Sequence, residues 1–149
     1  NTFKLIKKDK LKICYKCLTN VNYNNVDINK FIQDSIFKYK NQLIKTKPDL
    51  VLILGDRYEV LSFVIASFFL NLKICHLHGG EVTHGSFDDT IRHMISKMSD
   101  YHFVTNDKYK KRLISMGENP KNIYNFGSIG ALNIKNTKMI PKKKNVQKI

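Results

Sequence analysis

Asp49-Leu50-Val51-Leu52-Ile53-Leu54-Gly55-Asp56-Arg57 is the stretch on which the fold turns. Its apolar run is continuous, and Gly55 and a charged pair close it. An uninterrupted run of this kind predicts a strand buried on both faces of a parallel sheet. Downstream, Tyr58 to Leu70 reads as a strongly apolar helix. Lys73 to Leu77 reads as the next strand, broken by Gly79-Gly80. A loop runs to Phe87, and a helix covers about Asp89 to Met98. Tyr101 to Thr105 is a further strand. Asp107 to Met116 is a helix with Asn106 as its N-cap, and Gly117 is placed to stop it, with Pro120 a little beyond. Ile123 to Phe126 is a last strand, ending at Gly127. Upstream, Phe31, Ile32, Ile36, Leu43 and Ile44 recur at helical spacing, so a helix runs to about Lys45 before Pro48. Thr19 to Asn29 is Asn-rich and loop-like, and Lys12 to Tyr15 reads as a short strand. Repeated strand–helix units predict a parallel sheet with right-handed crossovers. The expected architecture is α/β: a Rossmann-like sheet with helices on both faces. The tail from Lys135 onward is rich in Lys and Asn and is expected to fray.

Composition narrows the function. The chain has 149 residues, long enough for one domain with a sizeable core. Its net charge of +14 is unevenly spread. Residues 1–48 sum to +8, residues 49–107 to −4 and residues 108–149 to +10. The acidic centre carries the motifs, and the basic flanks are built from Lys rather than Arg. Only Arg57, Arg92 and Arg112 could supply the bidentate contacts on which nucleic-acid readers depend, so no nucleic-acid partner is expected. The apolar stretch Val60 to Leu72 is interrupted by Ser62, Ser67 and Asn71, and no membrane span is expected. Cys14-x-x-Cys17 has no second ligand pair for zinc, and Cys75 stands alone. Reduced thiols in a cytoplasmic protein are the expectation. No secretory signal opens the chain, and the absence of an initiator Met points to a piece of a longer protein.

Residues 76–93 concentrate the chemistry. Four of the five histidines lie there, with three carboxylates and Arg92. Histidine titrates near neutrality and suits proton transfer. Ligands of such folds bind at the carboxyl ends of the strands. Asp56 and Arg57 follow one strand, His78 to Glu81 the next, and Thr105-Asn106 and Gly127-Ser128 the last two. Asp56 ends a buried run, a poor place for a purely structural carboxylate unless it caps the next helix. Gly79 and Gly80 allow a ligand close to the backbone. His76 falls within the strand and reads as a core histidine, whereas His84 reads as solvated. In the helix that follows, Ile91, Met94, Ile95 and Met98 mark one apolar face. Asp89, Arg92, His93 and Ser96 mark another, which can point into a cleft. Asp88 is expected at the N-cap and Asp89 in the first turn, where capping and dipole compensation compete with a catalytic role.

Three ordered motifs carry a resemblance: Gly55-Asp56-Arg57-Tyr58-Glu59, His76-Leu77-His78-Gly79-Gly80-Glu81-Val82-Thr83, and Asp88-Asp89-Thr90-Ile91-Arg92-His93 running on to Ser99. Together, between about Ile44 and Gly130, they resemble the bacterial UDP-N-acetylglucosamine 2-epimerases, in particular the hydrolysing branch of sialic and legionaminic acid synthesis. The resemblance implies a glycosyltransferase-B arrangement of two Rossmann-like domains with a UDP-sugar in the cleft between them. It implies loss of UDP from C1 with the C2 proton, a 2-acetamidoglucal intermediate, and addition of water at C1 and a proton at C2. The product is a free sugar inverted at C2: N-acetylmannosamine or a 2,4-diacetamido-6-deoxy analogue. By motif match Asp56, Glu81, Asp88 and Asp89 are the acid/base candidates. His78 stands where many relatives have a Glu that is a catalytic candidate in the family; either His78 takes over its proton-transfer role, or this branch uses a different carboxylate. Arg57, Gly79, Gly80, Arg92 and His93 are the substrate-binding candidates. No metal or other cofactor is expected, and a homo-oligomer is. The family's first strand and its Gly/Arg loop have no counterpart before Asn1, and the UDP-binding domain should follow Gly130. Residues 1–134 are therefore expected to be a partial first domain, and residues 135–149 the start of the connection to the second.

Two other readings fit the residues alone. Asp56, His76-x-His78 and Asp88-Asp89 could ligate metal in a phosphoesterase. Alternatively, the chain could be a non-catalytic Rossmann-like binding module with structural histidines. The absence of a G-x-G-x-x-G argues against dinucleotide binding.

Overall fold

The computed structural model describes residues 27–137 together with 6, 8–10 and 13. Apart from Ile13, which is exposed, the expected strand at Lys12 to Tyr15, the Cys14–Cys17 pair and most of the Asn-rich stretch lie outside the described residues, as does the tail beyond 137. The order of elements is α1 (Ile28–Thr46), β1 (Leu50–Leu54), α2 (Tyr58–Phe69), β2 (Lys73–Leu77), α3 (Phe87–Lys97), β3 (Tyr101–Val104), α4 (Asp107–Ser115), a 3-10 turn (Pro120–Asn122), β4 (Ile123–Asn125) and α5 (Ile129–Asn136).

The four strands pair in parallel in the order β1-β2-β3-β4. Each step moves the same way across the sheet. Right-handed crossovers therefore put α2, α3 and α4 on the same face. Val51 and Ile53 of β1 and Ile74 of β2 point to that face and pack with Leu61, Val64 and Ile95. Each fully buried aliphatic side chain contributes about 1.5–3 kcal/mol. A smaller cluster of Val104, Leu113 and Ile123 seats α4. α1 packs against α2, with Leu43 reaching the main core. Asp27 caps α1 by accepting from the Lys30 N–H at 3.1 Å. Lys47, left-handed at φ 43°, ends it before Pro48.

The opposite face holds α5 over one corner. Ile129 and Leu132 close a cavity of about 310 Å³ with Leu77, Phe103 and Phe126. Both faces thus carry helices, but unequally, and this corrects the reading of β1. Leu50, Leu52 and Leu54 are 50–61% exposed, while Val51 and Ile53 are buried. The apolar run is continuous, yet only one side of it is covered by described residues. α5 itself has no counterpart in the sequence reading. Ser128 caps it through the Ala131 N–H, and Lys135 and Asn136 are its last residues, not the start of a frayed tail.

The turn after β2 is where glycine is indispensable. Gly80 has φ +73°, and a Cβ there would lie 2.8 Å from the Tyr109 carbonyl oxygen and 2.9 Å from Leu113 Cγ. Gly80→Ala is expected to cost about 3 kcal/mol, combining left-handed strain with overpacking against α4. Gly85→Ala, at φ +75° with nothing within 4 Å, should cost only about 1 kcal/mol. Urea unfolding midpoints of the two variants check the difference, and equal costs would contradict the packing argument.

Candidate active site

Parallel strands bring their carboxyl ends to one rim. Asp56 follows β1, His78 follows β2, and Thr105 follows β3. α3 starts near the same rim, and two polar groups form there.

The first group is centred on Arg92, a nearly buried guanidinium. Its Nη2 donates to Asp56 Oδ2 and, at 3.2 Å, to the Thr83 hydroxyl. Asp89 Oδ1 lies 3.9 Å from Arg92 Nη1 and accepts the Thr83 N–H at 2.8 Å. His93 Nε2 is 3.7 Å from the other Asp89 oxygen. A buried cation needs such partners, because desolvation otherwise costs several kcal/mol. Two carboxylates from different elements therefore hold Arg92, and through Thr83 they also fix the loop between β2 and α3.

The second group is centred on Glu81. Its Oε1 lies 2.8 Å from His78 Nδ1 and accepts the Thr105 hydroxyl at 2.8 Å. Both contacts fall on one oxygen, so Oε2 and His78 Nε2 remain available at the rim. His78 reaches this position from a left-handed backbone, φ 64°, which favours glycine or asparagine over a bulky residue. The His78 N–H donates to the Phe103 carbonyl at 2.9 Å and anchors the conformation to β3. Arg112 of α4 donates to the Gly80 carbonyl at 2.9 Å and holds the glycine turn from below.

Several sequence expectations change here. Ser86, not Asp88, caps α3, accepting the Asp88 N–H at 3.2 Å. Asp88 and Asp89 both fall in the first turn, which starts two residues earlier than the apolar periodicity suggests. The Asp88 carboxylate has no hydrogen-bond or ion-pair partner among the described residues. The buried face of α3 is Ile91, Arg92, Ile95 and Ser96, while Met94 is largely exposed. Arg92 displaces Met94 from the core because its charge is satisfied there. Arg57 is exposed and pairs with Glu59 at 2.8 Å, apart from both groups. His84, by contrast, is exposed on the loop as expected. Thr83, Thr105 and Arg112 were not singled out as site residues from the sequence. The only signal for Thr105 is its place directly after a strand.

His76 is a core histidine, as its position in the strand suggests. It is fully buried, and its ring nitrogens meet the Gly55 carbonyl and the Ser96 hydroxyl at 3.1 Å each. Burial is the main reason its pKa is pushed down to about 4. Both nitrogens are thereby used within the protein, which leaves none for a metal. Among the described residues no three His, Cys, Asp or Glu side chains gather as a metal site requires. The donor geometry thus gives the phosphoesterase reading no support. No helix among the described residues is long and apolar enough to cross a membrane.

The sequence matches the family described as UDP-N-acetylglucosamine 2-epimerase over residues 1–149. The chain belongs to that family. It is 41% identical over 143 residues to the GDP/UDP-N,N'-diacetylbacillosamine 2-epimerase (hydrolyzing) of Campylobacter jejuni, covering 95% of this chain and 37% of the relative. It is 40% identical over 131 residues to the UDP-N,N'-diacetylbacillosamine 2-epimerase (hydrolyzing) of Legionella pneumophila, covering 87% of this chain and 34% of the relative. This member of the 2-epimerase family therefore spans just over a third of the length of those curated relatives. Its fold is similar to that of the UDP-GlcNAc 2-epimerase from Neisseria meningitidis bound to UDP-GlcNAc, with a TM-score of 0.76 at 19% identity over 91% of this chain and 39% of that one. The Rossmann-like parallel sheet expected from the sequence is thus the fold of this epimerase family.

Proposed function

We propose that this chain supplies the acid/base wall of a hydrolysing UDP-N-acetylhexosamine 2-epimerase. The observation that carries the reading is the presence of two carboxylate centres on one rim, Asp56–Arg92–Asp89 and Glu81–His78–Thr105. Epimerisation at C2 needs proton removal on one ring face and return on the other. Glu81, relayed to His78, is one proton carrier. Asp88, with its unpartnered carboxylate, or Asp56 is the other. Arg92, its charge already shared with Asp56 and Asp89, positions those carboxylates, with His93 on the same helix face. The Gly79-Gly80 turn lets the sugar approach the backbone. Loss of the C2 proton with cleavage of the C1–oxygen bond yields UDP and a 2-acetamidoglucal. Water then adds at C1 and a proton at C2. The product is N-acetylmannosamine or, in keeping with the named substrates of the two relatives, a diacetamido analogue.

In this reading the chain through the end of α5 at Asn136 is part of a first domain, and the residues that follow begin the connection to a second that binds UDP. The working protein is a cytoplasmic homo-oligomer. The test is reaction of the full-length protein with a UDP-N-acetylhexosamine in heavy-oxygen water and deuterium oxide. Solvent oxygen is expected at C1 and solvent deuterium at C2, with turnover insensitive to chelators. Product without C2 deuterium would exclude the glycal route. The 149-residue chain alone is expected to release no measurable UDP, because one wall of the cleft cannot exclude water from the reacting centre.

A further inference from the structure

Helical serines usually return their hydroxyl to the carbonyl four residues earlier. Apart from Ser35 of α1, whose buried hydroxyl has no partner among the described residues, Ser62, Ser67 and Ser115 do so here, as does Ser99 just past the end of α3, at 2.8 to 3.2 Å. Ser96 does not. Its hydroxyl meets His76 Nδ1 at 3.1 Å, across the gap between α3 and β2. The other nitrogen of the same ring meets the Gly55 carbonyl at 3.1 Å. A carbonyl only accepts, so Nε2 carries the proton and Nδ1 accepts from Ser96.

The two partners are next to the site. Gly55 precedes Asp56 in the chain, and Ser96 lies one helical turn after Arg92. The Arg92–Asp56 ion pair closes the ring of contacts from the other side. The glycine turn rests on the same spot, since a Cβ at Gly79 would lie 3.2 Å from both His76 Nδ1 and Ser96 Oγ. We infer that His76 is a positioning residue: from the core, it sets the end of β1 and the helix bearing Arg92 at the spacing that pairs Asp56 with Arg92 beneath the glycine turn. Its role in catalysis rests on the reading of Asp56 as a group of the reacting site, whereas its positioning does not. The ring must stay neutral to accept from Ser96. Burial is the main reason it does: among the groups facing the ring, the Gly55 carbonyl and Asp56 favour its protonation, His102 of β3 and Arg92 of α3 disfavour it, and burial prevails.

The experiment has two readouts. In the 149-residue chain, long-range nitrogen–proton NMR should show His76 as the neutral Nε2–H tautomer, and an Nδ1–H tautomer overturns the inference. Hydrogen exchange of the Arg92 guanidinium is then compared among variants. His76→Leu removes both bonds and should speed exchange about tenfold, as expected for the loss of roughly one net hydrogen bond. His76→Gln, which can still donate to the Gly55 carbonyl, should restore exchange to within about threefold of wild type. Unchanged Arg92 exchange in a folded His76→Leu protein also overturns the inference. If that variant does not fold, His76→Asn takes its place, and the wild-type tautomer decides the matter without any variant. In the full-length protein His76→Leu should lower kcat tenfold or more with little change in KM, the signature of misplaced reacting groups, at about 1 Å of displacement. If the wild-type protein releases no UDP while Arg92 exchange still tracks the variants, the functional reading falls and the positioning stands.

Discussion

Glu81→Gln in the full-length protein is expected to lower the rate of UDP release by about a hundredfold to ten-thousandfold, the range lost when a positioned general acid or base is removed. The substitution keeps the shape of the side chain. A glutamine carbonyl can still accept the Thr105 hydroxyl now bonded at 2.8 Å, so the folded structure should survive. What disappears is the ability to take up and return a proton, and with it the carboxylate that His78 Nδ1 meets at 2.8 Å. KM should change little, because the loss falls on a step realised in the transition state. Thr105→Ala provides the contrast: it removes one donor to Glu81 but leaves the carboxylate, so a fall of about tenfold is expected, in line with one net hydrogen bond. Initial rates of UDP release and deuterium incorporation at C2 are the measurements. A fall of less than tenfold for Glu81→Gln would show that Glu81 only props the rim, and would pass the proton-transfer role to Asp56 or Asp88.

The second large effect is on stability against pH. His76 is fully buried and neutral, with its pKa pushed down to about 4 chiefly by burial. In the unfolded chain it titrates near its ordinary 6.5. Between these values the unfolded state binds a proton that the folded state refuses, so stability rises with pH across the window. The contribution is complete above about pH 6.5, declines as pH falls and is lost below about pH 4, amounting to roughly 3 kcal/mol. His102, also fully buried, has its pKa lowered by burial against the opposing pull of Glu118, and adds to the effect with the same sign. Asp100 acts lower down. Burial opposes its ionisation, but hydrogen bonds from Lys73 Nζ and the Ile74 N–H overcome this and depress its pKa below 3.8. Its contribution is therefore lost only in stronger acid. Urea midpoints from pH 8 to pH 4 should fall steeply below pH 6.5 in wild type. The slope should be shallower by about one proton in His76→Gln. Identical slopes in the two proteins would contradict the assignment.

The sequence by itself determined the alternation of strands and helices and the placement of the chemistry. The apolar runs at 50–54 and 73–77 and the breaks at Gly55 and Gly79 are local signals, written in consecutive residues. Once strands are parallel, whatever follows each one must reach the same rim, so Asp56, His78 and Glu81 were legible there before any coordinates. The hydrophobic face of α3 was legible only in part. Periodicity assigned Met94 to the core, whereas the fold buries Arg92, because a guanidinium becomes tolerable inside once Asp56, 36 positions away, is brought against it. For the same reason the exposure of Leu50, Leu52 and Leu54 escaped the sequence reading. An apolar residue reports its own preference, not whether a neighbour arrives to cover it. The Glu81–His78–Thr105 contact, the hold of Arg112 on Gly80 and the two hydrogen bonds of His76, to Gly55 and to Ser96, were decided by the tertiary structure alone. Each depends on strand register and helix docking, which place polar atoms within about 3 Å of partners that no local pattern specifies.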